Sequence, residues 1–336
     1  MNWKVKALTQ NVVSLLPSQV GYKVYYQIQK RLGTLRSLDT VTDLKFALNL
    51  VRGIEGEGKE VEGKVFTEIG TGRRVNIPVV LWLCGASKVI TVDLNPYLKP
   101  ELVAKDLAFI RDNKIQVREL FGRRAHRRTF QERFERLTRR RLNARELLEL
   151  TQIEYLAPAD ARRLPVADKS IDYHVSNDTF EHIPPDALRQ ILVEGWRKVK
   201  DDGLFVHMVD FSDHFAHSDP TISTVNFLQF SEEQWRKYAG NRYMYHNRLR
   251  IDELVEMLKA AGLEVISQKV KVDPEAVRQL EAGLTLDRRF AGKRKEVNAA
   301  SNALVIARKE LYVCEAQAVT SGRHRRQERG AGCDPR

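Results

Sequence analysis

Val65-Phe-Thr-Glu68-Ile-Gly70-Thr-Gly72-Arg73 joins an apolar run to a helical one, and Val89-Ile-Thr-Val-Asp93-Leu-Asn-Pro96 follows soon after. The first stretch reads as the end of a strand, Lys64–Ile69, turning into a helix over Val75–Cys84. Two glycines in that turn let the backbone pass close to a ligand lying over the strand end. Asp93 ends the next strand, Lys88–Asp93, and stands 21 residues beyond Gly72. A carboxylate at that spacing reaches ribose hydroxyls.

The same alternation continues along the chain. Strands are expected at Thr151–Ala157, Ser170–Ser176, Leu204–Val209, Leu263–Val272 and Ala303–Arg308. Between them lie helices at Pro184–Val199 and Asp252–Ala261, and Asp273-Pro274 opens another as N-cap and first-turn proline. Asp201, Asp202 and Gly203 read as a turn into the fifth strand. Regular βα alternation gives an α/β, Rossmann-like, mainly parallel sheet with helices on both faces.

Residues 1–60 read as an N-terminal helical extension. Val20, Val24, Ile28 and Leu32 recur at helical spacing beside Tyr22, Tyr25, Tyr26 and basic residues. A second helix, Thr42–Val51, is expected to end before Gly53, with Gly53–Gly63 as a linker. These helices either cap a cleft or lie on a membrane surface. The main α/β domain would span 61–315, with a basic helical insertion at 98–150 after strand two and a disordered basic tail at 316–336.

Composition bounds the function. Of 336 residues, 43% are apolar and 30% charged, enough for a large core. The longest uninterrupted apolar stretch, Ile77–Ala86, is too short to span a bilayer. No apolar secretory region follows Met1–Lys6, so no signal peptide is expected. Cys84, Cys314 and Cys333 are distant and odd in number, which excludes a disulfide scaffold and suits a reducing, cytoplasmic setting. Much of the net charge of +12 sits in one place: Arg111–Arg145 holds thirteen basic residues against four acids. Phe130, Phe134 and Leu137 give that insertion one apolar helical face.

The acids decide between ligand classes. Glu68, Asp93 and Asp160 follow or end the first three strands, and the third glycine of a dinucleotide loop is replaced by Val75. Three carboxylates suit a cationic ligand better than a pyrophosphate. S-adenosylmethionine carries a sulfonium and an ammonium group and no phosphate. An NAD-dependent oxidoreductase, or a non-catalytic cofactor-binding protein with an anion-binding insertion, is the competing reading.

With Glu68-Ile-Gly-Thr-Gly72, Val92-Asp93, Ala159-Asp160-Ala161, Leu164-Pro165, Asp168, Asp172, Val175-Ser-Asn-Asp-Thr-Phe-Glu181-His182-Ile183 and Trp196–Gly203 in order, the chain resembles class I S-adenosylmethionine-dependent methyltransferases, in particular the small-molecule group related to ubiquinone-biosynthesis enzymes. The resemblance implies a seven-stranded sheet with the last strand antiparallel. It implies that Glu68, Gly70, Thr71 and Gly72 line the methionine part of the cofactor, that Asp93 and Leu94 take the ribose side, that Asp160 and Ala161 contact adenine, and that Asn177 and Asp178 flank the methyl group. Arg74 departs from the family's third glycine, and the insertion is longer than usual.

The acceptor is expected beyond strands four and five. Asp210-Phe-Ser-Asp213-His214-Phe-Ala-His217 follows strand five and reads as a solvated loop, as a base around His214, or as a metal site from Asp210, Asp213, His214 and His217. We carry forward His214 as base with Asp210 as partner, and assign no metal. His182 is expected to be structural. Phe227–Asn247 supplies aromatic and polar residues for one pocket wall or for core. The expected acceptor is a small molecule, or a glycan- or lipid-linked one, with an anionic membrane surface at the inner face as a partner and nucleic acid not expected.

Overall fold

Alternating side chains on the central strands build two cores. Phe66, Tyr173, Val175, Leu204, Val206, Leu304 and Ile306 point to one face of the sheet, and Ile171, Phe205, Val209, Ala303 and Val305 to the other. That period of two is what a sheet buried on both faces requires. The computed structural model describes residues 1–36 and 38–310. Three N-terminal helices come first: α1 (Trp3–Ser14), α2 (Ser18–Leu32) and α3 (Thr40–Gly56). Then come β1 (Val65–Ile69), α4 (Asn76–Leu83) and β2 (Lys88–Val92). The insertion supplies α5 (Pro100–Asp112), α6 (Lys114–Phe121), α7 (Arg128–Thr138) and α8 (Ala144–Thr151). The remainder is β3 (Glu154–Leu156), β4 (Ile171–Asn177), α9 (Pro185–Lys198), β5 (Val199–Asp210), α10 (Glu232–Ala239), α11 (Ile251–Ala260), β6 (Leu263–Val272), α12 (Pro274–Glu281) and β7 (Ala300–Lys309).

Among the described residues the strands form one seven-stranded sheet in the order β3-β2-β1-β4-β5-β7-β6. β1, β2, β3, β4 and β5 pair in parallel, and β7 runs antiparallel to β5 and β6. The expected Rossmann-like sheet with an antiparallel last strand is therefore present.

Three boundaries differ from expectation. α3 does not stop before Gly53 but continues to Gly56, so the expected linker begins later. A Cβ at Gly53 would stand 3.1 Å from both Ile306 Cδ1 and Leu304 Cδ2, so this glycine lets the helix approach β7. Leu44, Leu48, Val51 and Ile54 of the same helix are fully buried in the sheet's core, which makes α3 part of the main body. β5 begins at Val199 and absorbs Asp201–Gly203, with a register shift opposite Ile171–Tyr173. Thr151 ends α8 and lies outside β3; a capping box between Asn143 and Glu146 starts that helix. The expected tail, 316–336, with Cys314 and Cys333, lies outside the described residues.

The insertion packs firmly against the sheet-covering helices. Phe130 stacks on Phe134 at 5.2 Å and meets Phe121 at 4.7 Å, all within the core that contains α3 and α4. The Arg133 guanidinium lies 5.2 Å over the Trp82 ring and donates to the Ala86 carbonyl at 2.8 Å. Arg124 pairs with Glu55 of α3. A cavity of about 550 Å³ opens between α3 and the insertion, edged by Arg52, Arg123, Arg124 and Arg127 with Glu55 and Glu119.

α1 covers the stretch after β5. Trp3 packs edge-on to Tyr238 at 4.8 Å and against Phe215 at 5.5 Å, and its backbone N–H donates to the Asp219 carboxylate at 2.7 Å. α1 thus packs on the segment after β5, whereas α3 belongs to the core of the sheet.

Replacing Gly53 by leucine should overpack the α3–β7 contact and cost about 1–3 kcal/mol. Urea unfolding measures this; an unchanged midpoint would contradict the close approach.

Candidate active site

The glycine turn is held from below. Glu68 sits opposite Thr91 in the β1–β2 register and is 1% exposed. The Thr91 hydroxyl donates to Glu68, so the 2.6 Å contact between the two threonine hydroxyls has Thr71 as donor. Burial pushes the Glu68 carboxyl up to about 8, despite the Thr91 hydrogen bond, with the Asp93 charge adding to the rise. Glu68 and the Thr71 side chain therefore face the interior beneath the loop.

Gly70 and Gly72 both take positive φ, 89° and 65°. A Cβ at Gly70 would lie 2.4 Å from Thr179 Oγ1, so the loop presses directly on the turn after β4. At Gly72 a Cβ would meet nothing within 4 Å, and the backbone there faces open space. Asp93 accepts from the Gly72 N–H at 2.9 Å and the Asn95 N–H at 3.0 Å, one on each oxygen. Burial raises its carboxyl pKa, and these two N–H groups oppose the rise. Each oxygen keeps lone pairs for further donors such as ribose hydroxyls. Leu94 is 66% exposed beside it, an apolar side chain turned outward at the ligand edge.

Arg74, in the place of the third glycine, reaches away from the turn. It pairs with Asp43 of α3 at 2.5 Å and with buried Asp106 of α5 at 3.4 Å. The departure ties the loop to two helices.

Asp160 accepts from the Arg162 backbone N–H at 2.9 Å and pairs with its guanidinium at 2.6 Å. The hydrogen bond from Arg162 holds its carboxyl below the usual range, and an exposed pair of this kind is weak enough for a ligand amine to compete for it. Ala161 is buried in the second core.

β4 and β5 are neighbours, so the loops after them converge. Asn177 and Asp178 end β4, with Asp178 at φ 46°. Asn177 donates to Asp178 at 2.8 Å, while its own Oδ1 is buried without a partner. An orphaned acceptor at this edge fits an ammonium group. Burial lifts Asp178 to about 6, helped by the Asp210 charge and opposed by His214.

Beyond them a short turn, Phe180–His182, brings Glu181 and His182 against Asp210 and His214. Asp210 accepts from Ser212 N–H and Oγ at 2.8 and 2.6 Å, and its other oxygen lies 3.3 Å from His214 Nε2 and 3.6 Å from His217 Nε2. Burial would raise Asp210, but His214 and Ser212 outweigh it and hold its carboxyl below the usual range. The His182 and His214 rings are 4.9 Å apart, and His246 is 4.9 Å from His214. His182 is exposed at the rim of this group, whereas His246 is buried and desolvation holds it well below its ordinary value.

The two proposed residues, His214 and Asp210, thus come together. Asp213 turns away: it is fully buried and accepts from Asn226 at 3.0 Å and Phe215 N–H at 2.8 Å. Trp235, Phe227 and Phe230 pack in a core under α1 rather than along a pocket. Sequence reading missed the convergence of Glu181, His182 and His246. The usable signal was topological: β4 and β5 adjoin, so polar residues just past both ends must meet.

Residues 123–207 match the family model described as a methyltransferase domain. The strand order and the antiparallel β7 accord with that match. The chain carries a class I S-adenosylmethionine-dependent methyltransferase domain. S-adenosylmethionine is the cofactor of this methyltransferase, and the Asp93 carboxylate and the unpartnered Asn177 Oδ1 fit its hydroxyl and ammonium groups. No curated protein sequence matches the chain. Among solved structures, a methyltransferase from Methanosarcina mazei is similar at 17% identity, TM-score 0.39, over 74% of this chain and 93% of that one. A methyltransferase from Clostridium acetobutylicum is similar at 11% identity, TM-score 0.44, over 86% and 98%. A geranyl diphosphate methyltransferase in complex with S-adenosylmethionine is similar at 13% identity, TM-score 0.44, over 89% and 94%.

Glu68 gives this methyltransferase a pH signature. Its folded pKa, about 8, lies above the ordinary 4.5, so the folded state keeps a proton the unfolded chain has lost. That contribution is lost as pH rises through this window. The stability of Glu68→Gln relative to the parent should therefore grow between about pH 5 and 8 by on the order of 3 kcal/mol. Equal differences at both pH values, by urea unfolding, would contradict the buried carboxyl.

Proposed function

We propose that this methyltransferase transfers a methyl group to a hydroxyl of a small-molecule, glycan- or lipid-linked acceptor. The observation that carries this reading is the gathering of Asp178, Glu181, Asp210, His182 and His214 just beyond β4 and β5, with Asp210 Oδ2 3.3 Å from His214 Nε2. A hydroxyl needs help to lose its proton before it attacks a methyl carbon, whereas proximity alone serves an already reactive acceptor. The cofactor supplies the methyl group and the sulfur leaving group. The chain's part is to bind ribose through Asp93, to offer Asn177 and Asp178 near the methyl, and to activate the hydroxyl through His214 with Asp210 beside it.

Asp93→Ala should weaken S-adenosylmethionine binding by ~1–3 kcal/mol in calorimetry. His214→Ala should leave that affinity intact and lower turnover roughly 100-fold or more, because only the acceptor step is touched. Transfer of a tritiated methyl from the cofactor into fractionated small molecules, glycans and lipids identifies the product. Label attached to nitrogen or carbon would overturn the hydroxyl reading.

A partner surface is also proposed. No helix among the described residues is long and apolar enough to cross a membrane. Yet Val5, Leu8, Val12 and Leu15 recur along one face of α1 and are 55%, 64%, 57% and 83% exposed. Lys4 flanks that stripe and Lys23 follows on α2. An apolar stripe beside basic residues suits an anionic lipid surface, which would bring a lipid-linked acceptor to the cap. The chain should float with phosphatidylglycerol vesicles at low salt, and Leu8→Glu with Leu15→Glu should abolish this. A parent chain that fails to float would remove the membrane from the account.

A further inference from the structure

We propose that Glu181, His182 and His214, with Asp210 adjoining, hold a divalent transition-metal ion at the acceptor end of the site. The inference rests on the methyl transfer to a hydroxyl proposed above and names how His214 serves it: as a ligand of the ion that receives the hydroxyl.

The donors are already gathered. One ligand atom from each of Glu181, His182 and His214 lies within 4.8 Å of the others. Glu181 is 1% exposed, and both of its carboxylate oxygens are buried without a hydrogen-bond partner. A carboxylate left bare inside a protein costs far more than a paired one, and its neighbours worsen matters. Asp178 and Asp210 both add negative charge beside it. Among the described residues, no lysine or arginine pairs with Glu181. A bound dication satisfies both oxygens and the shared charge at once.

The imidazoles are set for the same task. His182 Nδ1 lies 2.9 Å from the Tyr245 carbonyl oxygen, and a carbonyl only accepts. Nδ1 therefore carries the proton, and Nε2 keeps its lone pair free. Fixing a ligand's tautomer through its far nitrogen is how metal-binding histidines are oriented. Asn247 locks the turn that carries it, donating from its side chain to the Phe180 and Ile183 carbonyls at 2.8 and 2.9 Å and from its backbone to Glu181 at 2.8 Å. His214 Nε2 is buried and unpartnered although Asp210 Oδ2 is 3.3 Å away. Adjacent ligands at ~2.1 Å from one octahedral ion stand about 3 Å apart, close to that spacing. His246 is excluded as a ligand through Nδ1, because that atom accepts the Arg248 N–H at 2.9 Å and Nε2 then carries the proton.

Mixed imidazole and carboxylate donors suit Mn²⁺, Fe²⁺ or Zn²⁺ better than Mg²⁺. An acceptor hydroxyl bound to such an ion loses its proton to solvent more readily. The oxygen then forms its bond to the methyl carbon as the carbon–sulfur bond breaks, and that electron pair stays on sulfur, giving S-adenosylhomocysteine.

Mn²⁺ alone is the probe. The full chain, stripped with a chelator and dialysed, is titrated with Mn²⁺ while free ion is followed by electron paramagnetic resonance. One ion should bind per chain and raise the melting temperature. Glu181→Gln and His182→Gln should each weaken binding at least about tenfold. Calorimetry with S-adenosylmethionine on the same variants verifies that they remain folded. Chelation should abolish methyl transfer and Mn²⁺ restore it. Absence of Mn²⁺ binding by the folded parent, or full binding by both variants, overturns the metal site. Failure of S-adenosylmethionine to bind while Mn²⁺ still does would sink the methyl-transfer reading and leave the metal site standing.

Discussion

The pairing of β1 with β4 governs everything at the ligand edge. These two strands are hydrogen-bonded in the middle of the sheet, Phe66 opposite Tyr173 and Glu68 opposite Val175. The connections that follow them diverge: α4 belongs to one core and α9 to the other. Where helices leave a parallel sheet in opposite directions, a crevice opens beyond the carboxyl ends of the strands. Gly70 lies on one side of that crevice and Thr179 on the other, so close that a single extra carbon on Gly70 would collide. The glycine turn and the turn that carries Glu181 and His182 are one packed unit.

Burial then sets the chemistry of the groups lining it. On the cofactor side each acid has donors from its own chain: Thr91 for Glu68, two backbone N–H groups for Asp93, Arg162 for Asp160. On the acceptor side the donors run out. Asn177 Oδ1 and both Glu181 oxygens are buried and bare. Such groups are tolerated in a fold when something from outside completes them. The contrast separates a supporting half from a half that awaits ligands.

Much of this was legible in the sequence, for particular reasons. Gly70, Gly72 and Asp93 announced themselves because a turn, a close approach and a ribose contact each demand a residue type at a fixed spacing. The strands were legible because both faces of the sheet are buried, which gives short apolar runs between turn residues. Gly53 misled, because a glycine that permits helix–sheet contact looks the same as one that ends a helix. Asp201–Gly203 misled for a similar reason: a bulged strand start uses turn residues. Of the thirteen basic residues of the insertion, Arg124 and Arg133 serve Glu55, Trp82 and the Ala86 carbonyl, partners that charge counting does not reveal. The partnership of Glu181, His182 and His214 was invisible because it depends on which strands adjoin, and on Asn247 and Tyr245 bracing the turn from 67 and 63 residues away in the chain.

A crystal structure of the chain with S-adenosylhomocysteine, grown with Mn²⁺ and recorded at the manganese edge, tests the account most directly. The account predicts ribose hydroxyls on Asp93, the methionine part along Gly70–Gly72, and one anomalous peak among Glu181, His182, His214 and Asp210, on the side of the cofactor sulfur. A cofactor whose ribose lies away from Asp93, or whose sulfur faces away from β4 and β5, would contradict it.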